Sequence, residues 1–248
     1  MLLVIKKDYD AISKEGARIV AEQVCKKPDC VLGFASGSSP LGLYKELIRM
    51  HREEGLDFSK VTTFNLDEYV GLPPEHDQSY HYFMWENLFK HLNVHPRRIH
   101  VLHGMADDVE AHCAWYEEQI VKCGGIDLQI LGIGGNGHIA FNEPGSSLDS
   151  RTRINILTEK TRQDNARFFD SIDQVPKYAI TMGIGTIMDA RKLIILANGK
   201  SKAPAIKVTI EGPISAMVPA TIVQMHHHAT VLVDEEAASQ LSDEWREE

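Results

Sequence analysis

Short apolar runs alternate with amphipathic stretches along the whole chain, and this alternation limits the possible folds more than any other feature. Runs at 2–5, 31–35, 61–66, 99–102, 127–133, 178–182, 193–197 and 230–233 read as strands, and segments 10–24, 40–51, 80–91, 107–123, 186–190 and 200–211 read as helices between them. A near-continuous apolar strand needs cover on both faces, and a helix between successive strands supplies the crossover that makes them parallel. The pattern predicts an α/β fold: a three-layer α/β/α arrangement around a Rossmann-like, mostly parallel sheet. A chain of 248 residues fits one such domain, and no linker, repeat or low-complexity tract divides it. One segment breaks the rhythm. Residues 151–178 are polar, carry Arg151, Arg153, Arg162 and Arg167, and offer one helix candidate at 161–169. A polar insertion over the mouth of a sheet predicts a helical lid, with an ordinary peripheral excursion as the alternative.

Composition narrows the partners. With 43% hydrophobic and 25% charged residues the chain can bury a sizeable core. A formal charge of −9 argues against a general nucleic-acid or membrane-binding surface, which needs clustered Lys and Arg, but leaves room for a small anionic substrate in one basic cleft. Cys25, Cys30, Cys113 and Cys123 form no C-x-x-C pair and have no His at zinc-ligand spacing, so reduced thiols are expected. The apolar run after Met1 is too short for a signal-peptide core or a membrane span, and a cytoplasmic protein is the expectation.

The densest chemical signal is Gly132-Ile133-Gly134-Gly135-Asn136-Gly137-His138, continuing through Ile139-Ala140-Phe141-Asn142-Glu143-Pro144, directly after the strand at 127–131. Gly132, Gly134 and Gly137 satisfy G-x-G-x-x-G. The dinucleotide fingerprint, however, needs a helix to open at the loop and an acidic residue after a second strand, and Pro144 and Gly145 interrupt any such helix. The loop instead presents an imidazole with a carboxylate five residues on, a pair suited to proton transfer near neutral pH. The other histidines, including His226, His227 and His228, read as surface or structural, since no H-E-x-x-H or similar spacing supports a metal.

Two further clusters stand at strand ends. Residues 31–35 lead into Ser36-Gly37-Ser38-Ser39-Pro40, a Ser/Gly turn before a helix beginning with proline. Hydroxyls and free amides converging there can bind a phosphate, whereas a plain capped helix start is the competing reading. The absence of G-x-x-x-x-G-K-[ST] excludes the usual nucleotide-triphosphate loop. In Val61-Thr62-Thr63-Phe64-Asn65-Leu66-Asp67-Glu68-Tyr69, apolar residues deliver two carboxylates to a strand end, where open α/β sheets bind ligands. Either Asp67 or Glu68 can serve as a general base there, or either can cap or pair.

Taken together, the segments Ser36-Gly37-Ser38-Ser39-Pro40, Asn65-Leu66-Asp67-Glu68-Tyr69, Gly137-His138-Ile139-Ala140-Phe141-Asn142-Glu143-Pro144, Ser150-Arg151-Thr152-Arg153, Val175-Pro176-Lys177-Tyr178-Ala179 and Thr181-Met182-Gly183-Ile184-Gly185-Thr186 resemble the glucosamine-6-phosphate deaminase family over nearly the whole chain. The resemblance implies conversion of glucosamine 6-phosphate to fructose 6-phosphate and ammonia, in amino-sugar catabolism, through ring opening, proton abstraction at C2, a cis-enediol and loss of the amine. It implies Asp67 as the general base moving a proton from C2 to C1, His138 as the ring-opening group between O1 and O5, and Glu143 as the carboxylate supporting it. Phosphate contacts carry over to Ser36, Gly37, Ser38, Ser39, Arg167 and Lys202. No cofactor and no metal are implied.

Two departures qualify the match. Asn136 stands where many members carry Asp, so it can orient His138 by hydrogen bonding but cannot stabilise an imidazolium as an anion would. Asn155 stands where members activated by N-acetylglucosamine 6-phosphate have Lys, although Arg153 is kept, and only a short acidic tail follows Asp234. A non-allosteric enzyme is therefore expected, with monomer favoured over homo-oligomer. The rivals are a 6-phosphogluconolactonase-like hydrolase and a non-catalytic sugar-phosphate sensor. Retention of Asp67, His138 and Glu143 together, and the lack of a basic DNA-reading module, weigh against the sensor.

Overall fold

The computed structural model describes residues 1–246 and contains ten strands in two sheets. Strands β1 (Leu2–Lys6), β2 (Val31–Phe34) and β3 (Thr62–Asn65) belong to the larger sheet, as do β5 (Ile99–His100), β6 (Leu128–Gly132), β9 (Leu193–Ala197) and β10 (Ala229–Asp234). Strands β4 (Asp67–Tyr69), β7 (Arg153–Ile156) and β8 (Tyr178–Thr181) form a small antiparallel sheet in the order β4-β8-β7. All pairings of the seven-stranded sheet are parallel, in the order β1-β10-β9-β6-β2-β3-β5.

Period-two alternation along fully buried strands explains the layers. In β9, Leu193, Ile195 and Ala197 enter one core while Ile194 and Leu196 enter the other. Helices α1 (Tyr9–Lys26), α2 (Leu41–Glu54) and α3 (Tyr80–Asn87) contribute Ile12, Val20, Leu43, Leu47 and Met84 to the second core. Helices α4 (Val109–Lys122), α6 (Ile184–Met188) and α7 (Ala203–Glu211) contribute Tyr116, Ile187 and Ile206 to the first. α5 (Glu159–Asn165) lies in the polar insertion, and α8 (Asp243–Arg246) ends the described chain. Truncating a fully buried leucine such as Leu196 to alanine would cost about 2–5 kcal/mol.

The order of strands places the site. The chain steps outward from β2 through β3 to β5, then returns to lay β6 on the other side of β2. Loops leaving β2 and β6 therefore diverge, and their carboxyl ends open a crevice, the place where such sheets bind ligands.

Two expectations change in detail. The apolar run at 178–182 is not part of the parallel sheet: β8 pairs antiparallel with β4 and β7, because the chain reaches it from β7 through the polar insertion rather than by a covering helix. The start of that insertion is itself a strand, and its helix is α5 followed by a tight helical turn at Ala166–Phe168, earlier than the expected 161–169. Among the described residues no helix is long and apolar enough to cross a membrane.

Candidate active site

A cavity of about 640 Å³ opens at the carboxyl ends of β2, β3, β6 and β9, and the polar insertion forms part of its wall. Ser36, Gly37, Ser38, Ser39, Asp67, His138, Arg167 and Lys202 all line it. Asn136 and Glu143 do not; they stand behind His138.

Asp67 opens β4, two residues after β3 ends, so the carboxylate sits where the chain leaves the large sheet for the small one. It is 6% exposed and has no cationic partner among the described residues. Its Oδ1 accepts a hydrogen bond from Ser36 Oγ at 3.1 Å. Burial pushes its carboxyl up to about 7, with the Ser36 bond opposing and the charge of Glu68 adding in the same direction. A carboxylate poised there is half ionised at neutral pH and suited to abstract a carbon-bound proton. Glu68, the competing candidate, is used otherwise. Successive strand residues point to opposite faces, and Glu68 accepts the N–H groups of Tyr69, Tyr80 and His81 at 2.8, 2.9 and 2.8 Å. It thereby satisfies the first turn of α3 alongside the Ser79 cap.

Two glycines of the loop after β6 have assignable reasons. A Cβ on Gly134 would lie 2.3 Å from His138 Cε1, so only glycine leaves room for the imidazole. Gly137 has φ 81°, in the left-handed region. His138 Nδ1 lies 3.5 Å from Glu143 Oε2, an ion-pair contact too long and poorly aligned for a closed hydrogen bond. Glu143 is 4% exposed. Its burial alone would raise its pKa, but the side chains of His138, Thr161 and Asn136 outweigh that and hold it at about 2. Asn136 Nδ2 donates to Glu143 Oε2 at 3.0 Å, and Asn136 Oδ1 accepts the backbone N–H of His138 at 3.2 Å. Asn136 thus reaches the imidazole only indirectly, through the loop backbone and Glu143, and not by the direct side-chain bond its type suggested.

The turn after β2 is a cradle with donors to spare. Among the described residues, the N–H groups of Gly37, Ser38 and Ser39 donate to no other group of the chain. Pro40 stands one place before α2, which begins at Leu41, and Tyr9 Oη accepts the Gly42 N–H at 2.8 Å, fixing the helix start. Lys202 is held by a bond from its Nζ to Ile133 O at 2.8 Å, and burial pulls its ammonium below the usual lysine value. Arg167 lies with its guanidinium 4.6 Å from the Phe168 ring centroid. Unspent amides at a helix N-terminus, plus two cations, offer the donors and charge that a phosphate dianion requires.

Sequence reasoning missed several lining residues. Lys160 adds a third cation to the wall, and the half-buried Tyr80 lines it too, with its hydroxyl donating to Tyr69 Oη at 3.3 Å. Nothing in the spacing of either residue marks it. Ser36 was expected only at the phosphate and also donates to Asp67. Among the described residues no three His, Cys, Asp or Glu side chains gather as a metal site. His226 is structural: it is buried with Nε2 2.8 Å from Ala190 O.

Comparison with known proteins places the chain in a family. Residues 7–232 match the family described as glucosamine-6-phosphate isomerases/6-phosphogluconolactonase. The glucosamine-6-phosphate deaminase of Halothermothrix orenii (strain H 168) is 56% identical over 241 residues, covering 97% of this chain and all of the relative (100%). The solved structure of a monomeric glucosamine-6-phosphate deaminase is 48% identical, with a TM-score of 0.95 over 96% of this chain and 99% of that one. A 6-phosphogluconolactonase from Thermotoga maritima is 22% identical with a TM-score of 0.74, over 94% and 98% of the two chains, and shares the fold alone. The chain belongs to the glucosamine-6-phosphate isomerase/6-phosphogluconolactonase family.

Proposed function

We propose that this chain converts glucosamine 6-phosphate to fructose 6-phosphate and ammonia, with the residue roles set out below. The observation that carries the assignment of roles is one cavity in which a base poised near neutrality faces an imidazole backed by an anion, beside a cradle of unspent amides. The phosphate docks on the amides of Gly37, Ser38 and Ser39 and on Arg167 and Lys202, placing the sugar ring between His138 and Asp67. His138 takes the proton from O1 and returns it to O5, opening the ring; Glu143 stabilises the imidazolium formed between those two acts. Asp67 removes the C2 proton from the open aldehyde while O1 takes up a proton given up by the C2 ammonium, giving a cis-enediol analogue that carries nitrogen at C2, and Asp67 then delivers the C2 proton to C1. The resulting ketimine takes up water, and its C2–N bond breaks to release ammonia and leave the ketose. The core step is an aldose–ketose isomerisation, so the enzyme is better grouped with isomerases than with simple hydrolases.

The segment at 157–177 is proposed to act as a lid, since Lys160 and Arg167 in it reach the cavity. A monomer without activation by N-acetylglucosamine 6-phosphate and a cytoplasmic location complete the reading. Support for the first comes from Asn155 in place of Lys and from the likeness to a monomeric deaminase. A coupled assay for fructose 6-phosphate and ammonia, run on wild type and Asp67→Asn, tests the whole reading. Unaltered turnover in the variant removes Asp67 from its role, and hydrolysis of 6-phosphogluconolactone without ammonia release would put a lactonase in its place.

A further inference from the structure

Strand β7 presents its faces the reverse of the usual way. Arg153 and Asn155 are half-buried and turned inward, whereas Ile154 (41% exposed) and Ile156 (66% exposed) face outward beside Tyr178, the register partner of Ile156. A half-buried guanidinium with no carboxylate partner among the described residues is unfavourable unless its donors are used. Here they are. Arg153 Nη1 donates to Asn142 Oδ1 at 2.9 Å, and Asn155 Nδ2 donates to Phe141 O at 2.7 Å. β8 and the residue after it add to the same stretch: Thr181 Oγ1 accepts the Phe141 N–H at 3.1 Å, and Met182 O accepts Asn142 Nδ2 at 2.9 Å.

That stretch is the turn joining His138 to Glu143. It closes through the Asn142 N–H to Ile139 O at 3.1 Å, and its tip, Ala140, lines the cavity with φ 49°. Ala140 is the only non-glycine residue with positive φ among the described residues. Alanine disfavours the left-handed region, so its surroundings hold the turn against its own preference. The geometry it sets matters, because the 3.5 Å contact of His138 with Glu143 is already at the limit of a useful pair.

We propose that Asn155 and Arg153 are positioning residues for ring opening: through the turn at 139–142 they fix where His138 stands relative to Glu143. The inference rests on the deamination reading above. Neither residue lines the cavity, so both act through the loop and not on the sugar. The inverted pattern of β7 follows from this task, since the inward face must carry donors aimed at the backbone and amide of the turn.

The test compares wild type with Asn155→Asp, Asn155→Ala and Arg153→Lys. Asn155→Asp keeps the shape but places a carboxylate against Phe141 O where a donor stood, and Asn155→Ala is the milder deletion that stands in for it should the Asp variant fail to fold. Three quantities are measured: kcat and KM for glucosamine 6-phosphate, and Kd for 2-amino-2-deoxyglucitol 6-phosphate, an acyclic analogue with no ring to open. Displacing a catalytic pair by a fraction of an ångström lowers kcat by roughly tenfold or more, so that loss is expected for Asn155→Asp and a smaller one for the other two. Affinity for the acyclic analogue should stay within about twofold, because the cradle and Asp67 are untouched. Unchanged kcat in all variants, or loss of analogue affinity in step with kcat, overturns the proposal. Wild-type turnover separately decides the deamination reading, so the two failures are distinguishable.

Discussion

Asp67, which lines the cavity, and Glu143, behind His138, are both buried, 6% and 4% exposed, yet their environments push them in opposite directions, to about 7 and about 2. Asp67, at the step from β3 to β4, has one hydroxyl partner and a like charge beside it in sequence. Glu143, at the end of the loop after β6, has Asn136, the Thr158 N–H at 3.2 Å and the His138 ring around it. Desolvation is common to both, so the partners make the difference. The contrast fits the proposed division of labour: a carboxyl that holds and yields a proton near pH 7 suits a base, and one that stays ionised suits an electrostatic support.

The sharpest way to break that contrast is to remove the proposed base. Asp67→Asn keeps the Ser36 contact but cannot accept a proton, and general-base removal is expected to lower kcat by about 10²–10⁴-fold. The coupled assay reads it directly, and a loss under tenfold would transfer the base role elsewhere.

A pH profile sharpens it next. A base at Asp67 would work only when ionised, so kcat/KM, with the substrate's own ionisation factored out, should rise about tenfold per pH unit below its pKa and flatten above about 7. Glu143 contributes no limb in that range because it is already ionised. If the rise ends near pH 4 instead, Asp67 is not held up by burial.

On the other side of the comparison, Glu143→Gln and Asn136→Ala separate charge from scaffolding. Asn136 touches Glu143 and the His138 backbone but not the ring. Loss of the anion behind the imidazole should lower kcat by roughly 10²-fold, while loss of Asn136 should cost about tenfold or less. Equal losses in a steady-state assay would mean that Asn136 carries half of the support.

Much of this was legible in the chain, for identifiable reasons. Parallel strands buried on both faces write themselves as apolar runs, so 31–35, 127–133 and 193–197 appear as β2, β6 and β9 with ends shifted by at most one residue. Glycine and proline mark the loops that carry Ser36–Ser39 and His138. What was not legible is pairing between distant segments. An apolar run at 178–182 looks the same in either sheet, since its antiparallel partners, β4 and β7, are decided by tertiary contacts. β7 itself hides because its apolar side faces out. Asp67 and Glu68 are equivalent as letters; the three N–H bonds that occupy Glu68, and the cavity that Asp67 alone of the two lines, tell them apart.

The smallest expected effect is on stability, where the two carboxylates should part in sign. Asp67 binds its proton more tightly folded than unfolded, so the folded chain holds an extra proton between the ordinary value of 3.8 and about 7. Stability therefore falls as pH rises through that window, and the penalty is complete above it. Glu143 is the reverse. Its depressed pKa contributes stability that is complete above 4.5 and is lost as pH falls towards about 2. Each is worth on the order of 2–4 kcal/mol at most, since one pKa unit corresponds to about 1.4 kcal/mol. Measured by thermal unfolding at pH 8, Asp67→Asn should melt several degrees above wild type and Glu143→Gln several degrees below it. At pH 4, where Asp67 is protonated in the folded chain, the gain from Asp67→Asn should shrink towards nothing. Two shifts of the same sign at pH 8 would mean that burial, and not the choice of partners, governs both carboxylates.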